Sequence, residues 1–462
     1  MARWSNWSGT VNYDQLEHTY HPETMDELRA AVRDAIQRKW RVRVVGQGHS
    51  WSNLGVPSHS RGAVICMTGM APFRGKIQDL GNGQGIAEVG GGLTIKDMNN
   101  WLDKEGWALF NMGDANPQVV IGGISTETHG SGVKHASLSD SAGSLSENVE
   151  GVTLVGGDGN YHTLTNDQLP AGRLSLGKLG AIYSVQLKVR KRYFLTHDQK
   201  LVPFNQASEG PEIEKMMRDS SIRHFEYWHY PHTDQAEKIV RREIPSGQSA
   251  HLSTPLDHLL TKIVSGSFAT IGALNPSGIP QLLKDAVTKP NLRKTFEVTG
   301  RQGPWNEILL GKSNVWRKVV KTYTMEYQLP YANLWPAFND YVESIKVAVA
   351  KGVYAAAPTQ IRFSQKSERS LLTHLSHDPT VSFSVSFFRD HRGVHTWLPE
   401  LEQRFIKHGG KPHWAKMYYE VPKTDAAAAA AFEKVRHELD PEGTFSFDQG
   451  PYTPDPEAFQ NY

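Results

Sequence analysis

Two glycine clusters carry the first chemical signal in this chain. In "RVRVVGQGHSWSNLG" (41–55) an alternating run ends at Val45, and Gly46, Gln47 and Gly48 lead straight to His49 and Ser50. In "VVIGGISTETHGSG" (119–132) Val119 is followed by Gly122 and Gly123, the hydroxyl residues Ser125, Thr126 and Thr128, then His129, Gly130 and Gly132. Glycines let backbone come close to a ligand, and successive backbone N–H groups form concavities that suit anions, so the two clusters together point to a pyrophosphate. A dinucleotide turn of the usual kind opens a helix on a third glycine; here Asn53 and Leu54 follow, and that fingerprint fails. His49 is the added element, because a neutral imidazole is a nucleophile near pH 7.

The elements that must hold these turns follow from periodicity. "HPETMDELRAAVRDAIQRKW" sets Met25, Leu28, Val32 and Ile36 at helical spacing with Pro22 in the first turn, which predicts a helix with one buried face before the strand Val42–Val45. Short strands then alternate with glycine turns as far as Lys191, the pattern of an α+β nucleotide-handling domain. After "KRYFLT" the segments "HFEYWHYPHTD", "TYTMEYQL", "APTQIRF" and "TVSFSVSFF" have strand composition, predicting a second domain on an antiparallel sheet. "TDAAAAAAFEKVRHEL" predicts a capped helix stopped at "DPEG", and "TFSFDQGPYTPDPEAFQNY" an irregular tail.

Composition narrows the partners. A formal net charge of +2, from 50 basic and 48 acidic residues among 462, argues against nucleic acid or a polybasic membrane surface. The single cysteine, Cys66, excludes an internal disulfide framework and a zinc pattern, which suits a reducing, cytoplasmic setting. No apolar run nears the roughly 20 residues of a membrane span, and "MARWSNWSGT" lacks the order of a secretory signal. "HLSH" (His374, His377) and "HRGVH" (His391, His395) have metal-like spacing without clustered acidic or thiol partners, so they read as surface or loop residues and no metal is expected.

The segments "VRVVGQGHSWS", "IGGISTETHGSG" and "SLGKLGAIYSVQLKV" resemble the flavin-binding domain of the vanillyl-alcohol-oxidase superfamily. "YWHYPHTD", "APTQIRF" and "HWAK" (His413 to Lys416) resemble the aldonolactone oxidase and alditol oxidase group within it, and the similarity runs from the first helix to "DPEGTFSF". The resemblance implies an α+β fold: a two-part FAD-binding domain over residues 1–192, a substrate-binding cap with a large antiparallel sheet flanked by helices over 193–415, and a C-terminal segment, 416–462, returning to the FAD domain. It implies FAD bonded covalently through its 8α-methyl to His49, with Gly177, Gly180 and Ile182 completing the cradle formed by the two glycine clusters. It further implies oxidation of the carbinol carbon of a sugar alcohol, aldonolactone or related small molecule. By the same resemblance hydride would pass to flavin N5 and oxygen would take the electrons as hydrogen peroxide, in a monomer or homodimer. Arg362 and Lys416 are implied as the positive groups that stabilise negative charge developing on substrate and reduced flavin.

Three positions depart from the group's pattern. Gln360 stands where the group has glutamate, and glutamine cannot accept a proton. Asp114 follows the flavin-facing Gly113 where the alditol oxidases carry a small hydroxyl residue, and Ser384, with Ser386 two residues on, stands where they carry a histidine. Asp114 admits three accounts: a carboxylate displaced from position 360, a partner for a cationic substrate such as an amino sugar, or a turn cap within "GDAN". In the resembled group the side chain at this position guards oxygen's approach to the flavin, and Gly113 would leave that path open, which the resemblance implies favours an oxidase. A dehydrogenase with another acceptor, a biosynthetic oxidase of a secondary metabolite, and a flavoprotein that binds ligand without turnover are the competing readings.

Overall fold

The computed structural model describes residues 2–57, 61–132, 143–164, 166–245, 276–310, 322–355, 357–388 and 394–447. The predicted tail therefore lies outside the described residues from position 448 on, as does His391.

A small first sheet is built from β1 (Ala2–Ser5), β2 (Asn12–Tyr20), β3 (Arg41–Val45) and β4 (Gly62–Cys66), in the order β1-β2-β4-β3. The pairs β2–β4 and β3–β4 are parallel, which requires a crossover, and α1 (Met25–Gln37) supplies it. α1 buries Leu28, Ala31, Val32 and Ala35. Its start corrects the sequence reading: Thr24 is the N-cap, accepting from the Glu27 N–H at 3.2 Å, so Pro22 precedes the helix instead of sitting in its first turn. A second sheet runs β5 (Gln78–Gly81), β6 (Gln84–Gly90), β10 (Ala181–Lys191), β8 (Val149–Val155), β9 (Tyr161–Leu164), with β7 (Trp107–Ala108) also on β10. α2 (Ile95–Lys104) and α3 (Val120–Ser125) join the same hydrophobic core.

Arg43 ties this part together. It is 1 % exposed, and its guanidinium donates to the carbonyls of Leu54 at 2.7 Å, Leu176 at 2.6 Å, Gly177 at 3.1 Å and Phe445 at 2.8 Å. Burial pulls its pKa down to about 9, still charged at neutral pH. Replacing it with methionine keeps much of the volume and strands four buried acceptors. Arg43→Met should destabilise by about 3 kcal/mol or more, read as a lowered urea midpoint. The C-terminal helix, α6 (Ala426–Leu439), capped by Asp425, sends Phe432, Val435 and Leu439 into that core.

The third sheet has eight strands: β11 (Phe194–Pro203), β12 (Ile222–His229), β13 (Gln235–Ile244), β14 (Val298–Pro304), β15 (Thr322–Pro330), β16 (Thr359–Ser364), β17 (Thr380–Phe388) and β18 (Lys411–Pro412). The order is β14-β11-β13-β12-β16-β17-β15-β18, all pairs antiparallel. Alternation gives the sheet two unlike faces. Phe225, Tyr227, Ile361, Phe363, Phe383, Val385, Met325 and Tyr327 share one core with α4 (Leu334–Ala350) and α5 (Val394–Lys407), through Phe338, Tyr341, Leu401 and Phe405. The other face carries Glu226 and Trp228, Gln360 and Arg362, Ser382, Ser384 and Ser386, and Thr324, Glu326 and Gln328, paired across strands by register. This polar face meets the first part of the chain, where the Gly132 N–H donates to the Phe363 carbonyl at 2.9 Å. Among the described residues no helix is long and apolar enough to cross a membrane.

Candidate active site

One elongated cavity runs between the glycine turns and the polar face of the large sheet. Val45, Gly46, Gln47, Gly48, His49 and Ser50 line one wall; Val119, Gly122, Gly123, Ser125, Thr126, Thr128 and His129 line another, with Gly177, Gly180 and Ile182 beside them. Gly113, Asp114, Gln360, Arg362, Ser384, Ser386 and Lys416 line the remainder. Gly130 and Gly132 lie outside it and serve packing. A Cβ on Gly130 would stand 2.1 Å from the Met112 carbonyl oxygen, and Gly132 is the backbone bridge to β16.

The glycine turns fit a flat, phosphate-bearing group. A Cβ on Gly46 would meet Val119 at 2.8 Å, so the two turns approach as only glycine allows. Gly48 has φ +65°, and its carbonyl accepts from the Trp7 N–H at 2.7 Å. A Cβ on Gly122 would meet nothing within 4 Å and would project into open space. The His49 ring stacks on Trp7 at 5.2 Å, and Asn6 braces the turn by donating to the Ser50 carbonyl at 2.9 Å. The turn is also fastened to "HWAK": the Trp51 N–H donates to the Ala415 carbonyl at 2.7 Å and the Ser52 hydroxyl to the Trp414 carbonyl at 2.5 Å.

Across the cavity two polar groupings share the sheet face. In the first, Arg362 pairs with Glu326 at 2.5 Å and donates to the His129 carbonyl at 2.9 Å, while His129 Nε2 lies 2.7 Å from the same Glu326 oxygen. Burial would raise the Glu326 carboxyl, but Arg362 and His129 outweigh it and hold it well below the usual range. Arg362 lines the cavity with its side chain 7 % exposed, while its Nε and Glu326 Oε2 are buried with no partner among the described residues. Lys416 Nζ sits 4.2 Å above the Trp51 ring; burial pulls it down to about 8 against the attraction of Glu326. In the second grouping, Gln360 Nε2 donates to Asp114 Oδ2 at 2.5 Å and to Glu226 Oε2 at 2.7 Å, and Glu226 pairs with Arg241 at 2.9 Å. Burial and the nearby Glu226 push Asp114 up to about 6 against Arg362 and the Gln360 bond. The turn-cap account of Asp114 falls here, because its carboxylate is bound to Gln360 and not to its own loop.

His374 corrects the surface-or-loop reading. It is 2 % exposed, because Glu127, itself at φ +59°, draws its loop inward. Glu127 accepts from the Thr373 hydroxyl at 2.7 Å and the His374 N–H at 2.8 Å. The His374 ring lies 4.4 Å from that of His413 and 5.7 Å from that of His129, and one nitrogen from each ring falls within 4.8 Å of the others. The donor set suits a metal poorly. His413 Nδ1 accepts from the Ala415 N–H at 3.1 Å, which places that ring's proton on Nε2, and His129 Nε2 is committed to Glu326. His129 and His413 themselves line the cavity, and His374, outside the lining, packs against both. His377 is half-buried, and His395 Nδ1 lies 3.0 Å from the Tyr419 hydroxyl.

Sequence reasoning missed Glu326, Thr324, Trp228, Trp4 and Trp7 on the cavity wall and Glu226 behind Gln360. The signal for Thr324 and Glu326 was present, since in "TYTMEYQL" the polar residues alternate with apolar ones.

Known proteins resemble the chain along most of its length. The profile described as FAD binding domain matches residues 17–165, and that described as D-arabinono-1,4-lactone oxidase matches residues 185–449. The L-gulono-1,4-lactone dehydrogenase of Mycobacterium tuberculosis is 26 % identical, covering 96 % of each chain. The L-gulonolactone oxidase of Mus musculus is 24 % identical, again covering 96 % of each. In structure the chain is similar to a solvent-stable cholesterol oxidase, with a TM-score of 0.81 at 16 % identity, covering 97 % of this chain and 96 % of the other. That likeness concerns the fold.

Proposed function

The chain belongs to the D-arabinono-1,4-lactone oxidase family, and from that premise we propose that it oxidises the carbinol carbon of an aldonolactone or a related polyhydroxy compound. FAD would lie along the glycine turns of residues 45–50 and 119–129, with Gly177, Gly180 and Ile182 beside it and His49 as its covalent anchor. When bound, FAD supplies the two-electron acceptor for the hydrogen leaving carbon, and oxygen is the proposed final acceptor. The observation that carries the reading is a nearly buried cation on the cavity wall, Arg362, held there by Glu326 and the His129 carbonyl. A substrate oxygen placed against its guanidinium would be stabilised as negative charge grows on it. Lys416 adds a second donor, and Ser384 and Ser386 offer hydroxyls to a polyol. The balanced charges and the single cysteine fit a cytoplasmic enzyme.

Anaerobic mixing with aldonolactones, polyols and amino sugars tests the reading. The flavin absorbance should bleach with at least one neutral lactone or polyol, and a protein that stays yellow with all of them would overturn it.

The acceptor needs a separate test, because the relatives include both a dehydrogenase and an oxidase by name. A Cβ on Gly113 would meet Thr128 Cγ2 at 2.9 Å, so alanine alone would push on the cradle. Gly113→Ala combined with Thr128→Ser, which removes that methyl, should slow reoxidation by dissolved oxygen several-fold more than it slows reduction by substrate. If the unaltered protein reoxidises only with a dye acceptor, the dehydrogenase reading holds instead.

A further inference from the structure

Three carboxylates gather around the cavity, and they differ in one respect. Glu326 is bound by Arg362 at 2.5 Å and Glu226 by Arg241 at 2.9 Å, whereas Asp114 bonds only the neutral amide of Gln360 among the described residues. A carboxylate paired with arginine is a poor base, because protonation would sacrifice the pair; one without a cation gives up far less. Gln360 also fixes where Asp114 can be. Its amide nitrogen has two hydrogens, one going to Asp114 and the other to Glu226, and Glu226 is anchored in turn by Arg241. Asp114, Gln360 and Arg362 all line the same cavity, and Asp114 is close enough to Arg362 to feel its charge, so a substrate oxygen placed against Arg362 shares the cavity with this carboxylate.

We propose that Asp114 receives the hydroxyl proton of the substrate carbinol, with Gln360 as the positioning residue that holds it. The proposal rests on the functional reading above. The O–H bond breaks with its proton going to the Asp114 carboxylate. The C–H bond breaks with its hydrogen leaving together with the electron pair as a hydride, for which bound FAD would be the acceptor, and the carbon and oxygen left behind form the carbonyl, so atoms and electrons balance. This chain thereby carries its base on the loop after Gly113 instead of on β16.

The charged and titratable groups facing Asp114 are Glu226 on β12, Arg241 on β13, Arg362 on β16, Glu326 on β15, and Lys416 after β18. With Asp114 pushed up to about 6 and Lys416 pulled down to about 8, the base is ionised above the first value and the cation retained below the second. The rate of anaerobic flavin reduction by L-gulono-1,4-lactone should therefore rise with pH through about 6 and fall through about 8.

In the FAD-loaded protein, Asp114→Asn should cut that rate on the order of 100-fold or more and abolish the acid limb, while the alkaline limb and the substrate Kd change little. Gln360→Glu, which removes both donors and adds a charge beside Asp114, should move the acid limb to higher pH. Independently of turnover, the infrared carbonyl band of a protonated carboxyl should appear in the unaltered protein as pH falls through about 6 and be missing in Asp114→Asn. An acid limb that persists in Asp114→Asn, or one that Gln360→Glu leaves in place, would overturn the proposal alone. So would an Asp114→Asn protein that loses only the binding of amino sugars, which would make Asp114 a counter-ion. A natural protein reduced by no lactone or polyol would overturn the functional reading, and the proposal with it.

Discussion

Arg362→Ala should leave FAD bound and slow its anaerobic reduction by a lactone on the order of 100-fold or more, the scale of losing one donor aimed at developing negative charge. The residue is 5 % exposed, charged under all ordinary conditions, and positioned on the cavity wall by two acceptors, Glu326 and the His129 carbonyl. Lysine should not rescue it. An ammonium cannot satisfy Glu326 and the His129 carbonyl at once while presenting a third hydrogen along a fixed plane. The variant also leaves Glu326 buried without its cation, a change that typically costs about 3–5 kcal/mol. Stability and rate therefore need separating. The double variant Arg362→Ala, Glu326→Gln should recover much of the lost stability, seen in the urea midpoint, with the reduction rate still depressed. If the double variant regains the rate as well, Arg362 serves only to neutralise Glu326.

That network marks where the sequence stops being legible. The two faces of the large sheet are written in the alternation of "TYTMEYQL", "TQIRFS" and "TVSFSVSFF", so the polar character of one face is local information. Which polar residues meet is not. Glu326 reaches Arg362 because β17 lies between β15 and β16, with Ser384 opposite Glu326 on one side and Gln360 on the other. Strand order is decided by tertiary packing, so no window of sequence contains that contact. His374 shows the same limit from another direction. Its spacing to His377 looks like a surface metal motif, yet a carboxylate 247 positions earlier, Glu127, pulls its backbone into the core. Asp114 lay between the two cases: its type and place beside Gly113 were readable, whereas the Gln360 amide that bridges it to Glu226 became visible only in three dimensions. The glycine turns were the most legible part, because the restriction that selects glycine, close backbone approach, acts at the residue itself.

His49→Ala should turn an acid-stable yellow protein into one that releases its flavin. In the natural protein, acid precipitation should leave the colour in the pellet and a mass gain of about one FAD per chain; in the variant the pellet should be colourless and the FAD should appear in the supernatant. The argument runs from geometry. The ring stands at the cavity wall on a turn pinned from both sides, by the Trp7 N–H on the Gly48 carbonyl at 2.7 Å and by Asn6 on the Ser50 carbonyl at 2.9 Å. Trp7 also stacks on the imidazole at 5.2 Å, which restricts its rotation. Holding a nucleophile in one orientation is worth several orders of magnitude in rate, so an imidazole fixed beside a bound flavin would react with it faster than one free in solution. It follows that Trp7→Ala, which removes the stacking wall and leaves His49 in place, should lower the fraction of chains carrying acid-stable flavin without abolishing FAD binding. If the natural protein's acid pellet is colourless and its supernatant holds all the FAD, His49 is a wall residue of a dissociable site, and the Trp7 variant should then match the natural protein.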